Sequence, residues 1–272
     1  MRLLSYIKSI VPIPVKYIPW YIFKSPQRKN GFLKSISVEL QGLLILIYHM
    51  HFSGYKKHLK PVTICTGIKD RTSNYLDCIL LPVLKMDNQE LIELSIYDCG
   101  SKDVGALEDT IRQKWKGKLI FTSEDSAFAR SFAFNSAIDQ ASNDMIFASD
   151  ADMILPKNLV ERCNRFLTGK TVWFPVCFSL FEGKPEIISE ENGKWNYNGK
   201  GNFAATKAQF EKAGKFNTFY KIWGWEDTEL WINFHTIGII PIRTKWDGFI
   251  HKWHPSNEVK VPKPEHLAGY NL

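Results

Sequence analysis

From Pro61 onward, short apolar runs alternate with stretches of helical period, and this alternation limits the possible folds more than any other feature. Residues 62–66, 91–97, 118–122 and 145–148 read as buried strands. Between them, Leu76, Ile79, Leu80, Val83 and Leu84 recur at helical spacing behind a Thr72 or Ser73 cap. Residues 104–114 and 127–141 give two more helices. Strands separated by helices return parallel through right-handed crossovers, so the expectation is an α/β fold with a mostly parallel sheet. Beyond it we expect a helix from Pro156 to residue 167, strands at 171–177 and 201–206, and a hairpin or mobile loop at 182–200. A helix through about Phe234 and a strand at 239–243 complete the pattern.

The fourth strand runs into Ser149-Asp150-Ala151-Asp152. Alternate residues of an extended chain point opposite ways, so the backbone must turn here if both acids share one ion. Hard carboxylate oxygens suit Mg²⁺ or Mn²⁺ held against a phosphorylated substrate. The carboxyl ends of such strands are where ligands of open α/β sheets sit. Taken alone, a solvated acidic turn explains the pair as well.

Two further groups change that balance. Trp223-Gly224-Trp225-Glu226-Asp227 places two acids at a helix start, where the macrodipole favours them. Capping does not explain the flanking rings, whereas a sugar cleft needs flat apolar faces beside hydroxyl acceptors. A carboxylate pressed against such rings can also serve as a base on a hydroxyl nucleophile. His251 and His254 follow the last apolar strand, and an imidazole would complete a mixed site that tolerates Mn²⁺.

Charge is unevenly placed along the 272 residues, whose formal net value is +7. Residues 1–60 hold ten Lys or Arg against the single acid Glu39, a surplus of +9, and the remainder is slightly acidic at −2. A slightly acidic body argues against a nucleic-acid groove. In the basic segment no apolar run approaches the ~20 residues of a bilayer span, Pro12, Pro14 and Pro19 break any long helix, and no cleavable leader is evident. Cations beside Trp20, Tyr17 and Tyr21 suit an anionic membrane surface, or a basic helical extension packed on the body or on a partner. Five scattered cysteines without Cys-x-x-Cys pairs predict reduced thiols in a cytoplasmic protein, and the basic segment would give it a peripheral place on the inner face of the membrane.

Taken in order, these residues resemble the inverting glycosyltransferases of the GT-A fold, particularly family 2 enzymes of the chondroitin-polymerase kind and the β-1,4-galactosyltransferases. The resemblance covers residues 61–255, leaving a basic helical N-terminal extension (1–60) and a C-terminal tail (256–272). Thr66-Gly67-Ile68-Lys69-Asp70-Arg71 resembles the first nucleotide loop, and Asp98-Cys99-Gly100-Ser101 the turn that contacts uracil and ribose. Phe128-Ala129-Arg130 with Asn135 is similar to the helix beside the nucleotide. The resemblance implies a UDP-sugar donor contacting Thr66, Gly67, Lys69, Arg71, Asp98, Arg130 and Asp150, and Mn²⁺ or Mg²⁺ on Asp150, Asp152 and His251 or His254. It implies Asp227 as catalytic base, Glu226 holding donor or acceptor hydroxyls, and Trp223, Gly224, Trp225 and Asn202 contacting the acceptor glycan. A lipid-linked acceptor would fit the basic segment. Ala213-Gly214-Lys215-Phe216-Asn217 departs from the family's usual glycine-rich stretch, which leaves the acceptor side open.

Rival readings start from the same acids. Asp150-Ala151-Asp152-Met153-Ile154-Leu155 also approximates a haloacid-dehalogenase phosphatase motif, although three strand–helix units precede it here. A nucleotidyltransferase could use the metal pair without needing the tryptophans. A non-catalytic glycan-binding subunit would have no need to keep Asp150, Asp152 and Asp227.

Overall fold

A computed structural model describes residues 58–221, 224–255 and 262–267. The basic segment therefore lies almost wholly outside the described residues, as does Trp223. Among the described residues no helix is long and apolar enough to cross a membrane.

The first half builds as its periodicity predicts. Strand β1 (Val62–Ile68) is buried along its whole length and leads into helix α1, which runs Thr72–Tyr75, a π-helical turn Leu76–Leu80, then Leu81–Val83. There follow β2 (Ile92–Asp98), α2 (Val104–Lys114), β3 (Lys118–Ser123), α3 (Arg130–Gln140) and β4 (Met145–Ala148). Helix α3 starts at Arg130 because Ala129, with φ −127° and ψ 118°, is still extended. Next come β5 (Met153–Ile154), α4 (Leu159–Phe166), β6 (Thr171–Leu180), β7 (Gly193–Asn196) and β8 (Phe203–Thr206). The chain continues through α5 (Lys207–Lys212), α6 (Glu226–Thr236) and β9 (Ile240–His251). Helix α5, unforeseen from the sequence, opens on a capping box: Gln209 N–H donates to Thr206 Oγ1 while the Gln209 side chain accepts from the Thr206 amide.

Among the described residues nine strands form one sheet, in the order β3-β2-β1-β4-β8-β6-β9-β5, with β7 pairing with β6 off that path. The longest registers are parallel: β1 on β2, β2 on β3 and β6 on β9. Antiparallel pairings bring in β8, β7 and the two-residue β5. Fold class and sheet character follow the sequence expectation. The last strand differs, for it is twelve residues long rather than five and ends on His251 itself.

Aromatic packing fixes that long strand. Phe147 of β4, Trp173 of β6, and Trp246 and Phe249 of β9 form one buried cluster, with ring centres 4.9–6.2 Å apart. Such pairs contribute about 0.5–1.5 kcal/mol each beyond their buried area. Both indoles are also satisfied: Trp173 Nε1 donates to Thr244 Oγ1 (2.9 Å) and Trp246 Nε1 to Asn158 Oδ1 (2.8 Å). A second cluster, including Phe134, Phe174, Phe203, Phe216 and Phe234, seats α3 and α6 on the sheet.

Candidate active site

At the end of β4 the chain turns, and the two acids take different partners instead of sharing one group. Asp150 accepts from Arg130 Nε at 2.8 Å, and Asn202 grips it twice, Asn202 Oδ1 accepting the Asp150 amide at 2.8 Å and Nδ2 donating to Oδ2 at 3.2 Å. Asp152 faces the other way. Met153 pairs with His251 where β5 meets β9, and the Lys252 amide donates to Asp152 O (3.0 Å). That short pairing brings His251 Nε2 to 3.7 Å and His254 Nε2 to 3.2 Å from the Asp152 carboxylate.

Asp152, His251 and His254 can thus offer a cation one carboxylate oxygen and two imidazole nitrogens, all within 4.8 Å of one another. The residues fit such an ion, since Asp152 Oδ1 is buried without a hydrogen-bond partner. Burial works to raise the Asp152 carboxyl, but the His254 hydrogen bond and the charges of His251, His254 and Arg71 outweigh it and hold the group below its ordinary range. The Asp152 hydrogen bond in turn lifts His254 above the usual imidazole value. Asp150 lies outside this cluster.

The acids of α6 reach the same cleft. Gly224 (φ 127°) and Trp225 (φ 72°) both take positive φ, a tight reversal that aims the first turn of the helix inward. Glu226 is buried; its Oε2 accepts the Gly224 amide at 3.0 Å and its Oε1 lies 3.4 Å from Arg130 Nη1. Burial pushes the Glu226 carboxyl up, with Arg130 opposing. Arg130 therefore links Asp150 to Glu226, and its third arm donates to Gly201 O at 2.6 Å. Asp227 is half-exposed on the wall of a cleft of about 650 Å³ that also includes Asp150, Trp225, Glu226 and His251.

Other residues expected at the nucleotide stand in the loops beside β1 and β2. Asp98 accepts from the Gly100 and Ser101 amides and from Ser123 Oγ, so its carboxylate shapes the turn. Lys69 Nζ donates to Cys99 O and Ser126 O, both at 2.7 Å, tying three loops together. A Cβ on Gly67 would lie 2.5 Å from Ala133 Cβ, so glycine there lets α3 lie directly on β1. Thr66 is buried on the same strand and its hydroxyl has no hydrogen-bond partner. Arg71 stands at the start of α1, its charge acting on Asp152. Asn196, Asn198 and Gly199 line the cleft from β7 and the loop after it. The sequence expectation for 182–200, a hairpin or mobile loop, includes no site residue, and the recurring Asn between aromatics at 195–198 is the signal that points to them.

A sheet of this order, with carboxylates and imidazoles converging beyond its strand ends, defines a GT-A glycosyltransferase. The chain belongs to the chondroitin N-acetylgalactosaminyltransferase family, whose sequence profile matches residues 92–263. Chondroitin sulfate synthase 3 of Homo sapiens is 26% identical over 198 residues, covering 67% of this chain and 22% of the synthase. Chondroitin sulfate N-acetylgalactosaminyltransferase 1 of the same organism is 22% identical over 266 residues, covering 80% and 50%. The chain thus spans at most half the length of these relatives. Among solved structures, S. aureus TarS superposes with a TM-score of 0.56 at 12% identity, covering 71% of this chain and 37% of TarS. The mannosyltransferase PcManGT from Pyrobaculum calidifontis, solved with GDP-Man and Mn²⁺, gives 0.52 at 14%, covering 80% and 67%. Membership in a transferase family sets aside the phosphatase and nucleotidyltransferase readings.

Proposed function

We propose that this chain is a metal-dependent, inverting transferase that moves N-acetylgalactosamine from a UDP-sugar to a hydroxyl of a glycan. The observation that carries the reading is the Arg130 bridge, which holds the Asp150 turn and the Glu226-Asp227 helix start in one cleft. The names of the relatives support the sugar, and the Asp152, His251 and His254 cluster supports the metal.

Mn²⁺ or Mg²⁺ held by Asp152, His251 and His254 would supply positive charge against the diphosphate leaving group. Asp227, on the wall of the cleft, takes the proton from the acceptor hydroxyl as its oxygen attacks the anomeric carbon. Attack from the face opposite the leaving group inverts configuration and needs no covalent enzyme intermediate. Glu226 is a positioning residue in this scheme, because Arg130 and the Gly224 amide engage its carboxylate. Trp225 supplies an apolar wall for the acceptor. Peripheral attachment to an anionic membrane through residues 1–60 is a separate proposal. Binding to anionic vesicles that persists after truncation of that segment would refute it.

UDP release from a panel of nucleotide-sugars with Mn²⁺ tests the main reading. Asp227→Asn is expected to lower turnover by about 10²–10⁴-fold while UDP and Mn²⁺ still bind. Wild-type turnover in the Asn variant would remove Asp227 as the base.

A further inference from the structure

The end of the sheet opposite the cleft has a chemistry of its own. Val62, Ile92 and Met145 stand in register at the starts of β1, β2 and β4, with Lys118 of β3 one step along. Thr206, where β8 finishes, pairs with Met145, and β6 starts beside β9 at Thr171 and Ile240. The cleft lies beyond the far ends of these strands, past Asp150. In and beside the loops leading into β1 to β4 and β6, Lys60, Lys85, Lys114, Lys116, Lys118 and Lys170 are exposed. The exposed acids in those loops are Asp87, Glu90 and Asp144.

The turn between α2 and β3 is firmly anchored. Trp115 is buried, its Nε1 donates to Lys118 O at 3.1 Å, and a Cβ on Gly117 would lie 2.3 Å from its ring. Lys114 and Lys116 are left outside. A rim of solvated lysines keeps a domain soluble and by itself needs no partner. Two observations go further. The chain enters the sheet at this end, where the Lys60 amide donates to Asn164 Oδ1 (2.8 Å) and Lys60 O accepts from Asn164 Nδ2 (3.0 Å). Residues 1–60, with ten Lys or Arg against Glu39, therefore reach the body here. The cleft end carries the reverse charge. Glu182, Glu186, Glu190 and Glu191 stand against Lys184 between β6 and β7, and Glu124 and Asp125 follow β3, all exposed. A body that is only slightly acidic in total is thus divided along its strands into a basic and an acidic end.

We propose that the strand-start end of the sheet, with Lys60, Lys114, Lys116 and Lys170 at its surface, docks on anionic lipid headgroups so that the cleft opens away from the bilayer. This inference deepens the attachment proposed through residues 1–60, because it gives the body a face and an orientation on the same surface. The rival orientation, cleft towards the lipid, would use exposed rings such as Phe219, which is 83% exposed. It would also press Glu124, Asp125 and the β6–β7 acids against anionic headgroups, which repel them. The seven residues of β1, at about 3.3 Å each, hold the cleft about 20 Å from the docked end. That exceeds the ~8 Å over which a surface charge is screened at physiological salt, so the headgroups do not compete for the metal or the diphosphate. The reacting hydroxyl then belongs to an acceptor long enough to cover that distance.

The test is co-flotation of the full chain with phosphatidylcholine vesicles containing phosphatidylglycerol, comparing two variants of equal net charge. Lys114→Gln, Lys116→Gln and Lys170→Gln together remove charge from the proposed face. Lys102→Gln, Lys184→Gln and Lys194→Gln together remove as much from the cleft end. The first variant is expected to bind at least about tenfold more weakly than wild type, since each cation near an anionic surface contributes separately. The second should bind as wild type does, with UDP affinity as the folding control for both. Equal losses in the two variants would show that net charge acts without a face, and a larger loss in the second would reverse the orientation. Either result overturns the inference. So does binding to a soluble chondroitin sulfate chain that matches vesicle binding and falls in the first variant, which would give the face to a glycan. If truncation of residues 1–60 abolishes vesicle binding while the first variant keeps it, the segment's attachment stands and the docking face falls. Residual binding of the truncated chain that the same three substitutions remove supports the face and overturns attachment by the segment.

Discussion

Asp152 keeps one carboxylate oxygen against His254 and the other buried without a hydrogen bond, so a nearby cation would satisfy it. Asp150, two residues away, is already matched by Arg130 and Asn202. The Asp-x-Asp motif was legible in the chain, but the division of labour between its acids was not, because both partners of Asp150 are distant in sequence. Asp152→Asn is expected to weaken Mn²⁺ binding by at least ~10-fold, read by water-proton relaxation without donor. An Asn variant with wild-type Mn²⁺ affinity would remove Asp152 from the ligand set.

At the scale of elements, α6 matters most, since it bears Glu226 and Asp227 on its first turn. Its dipole favours those acids, but a clamp one turn along fixes its orientation. Glu229 accepts from Tyr220 Oη at 2.6 Å and Asn217 Nδ2 at 3.1 Å, and His266 Nε2 lies 3.1 Å away on the 3₁₀ turn Glu265–Leu267. The tail residues described here thus strap down the helix. Burial works to raise Glu229, and these hydrogen bonds outweigh it to leave the carboxyl below its ordinary value of 4.5. A depressed folded value means stability that is present above pH 4.5 and lost as pH falls through the folded value. Glu229→Gln should therefore cost about 1–3 kcal/mol at neutral pH and flatten the acid limb of the stability profile. Denaturant unfolding between pH 3 and 7, about the range of carboxylate titration, reads both. An unchanged acid limb would show that the clamp does not titrate with folding.

Across the whole molecule, Arg130 is where the two halves of the sheet meet. It leaves the start of α3, which lies on β1 at Gly67, and reaches both the β4 turn and α6. Its guanidinium also stacks 4.4 Å from the centre of the Phe134 ring. Removing one partner of a buried ionic network costs about 3–5 kcal/mol, because the carboxylates left behind stay desolvated. Arg130→Gln is expected to lose stability on that scale, by urea unfolding, and to lower UDP release together with it. Wild-type stability in this variant would mean the bridge does not hold the cleft together.

The sequence alone determined the strands, the helices between them and the acids at their ends, because these depend on neighbours within a turn or a pleat. That is why β1 to β4 and the helix start at Glu226 matched the reading of the chain. Only the tertiary structure decided that β9 runs on to His251, that β5 pairs with its end, and that the β7 hairpin joins the cleft wall. Those outcomes rest on packing between residues tens of positions apart, as when Phe147, Trp173 and Trp246 set the register of β9, and local periodicity carries no record of such contacts.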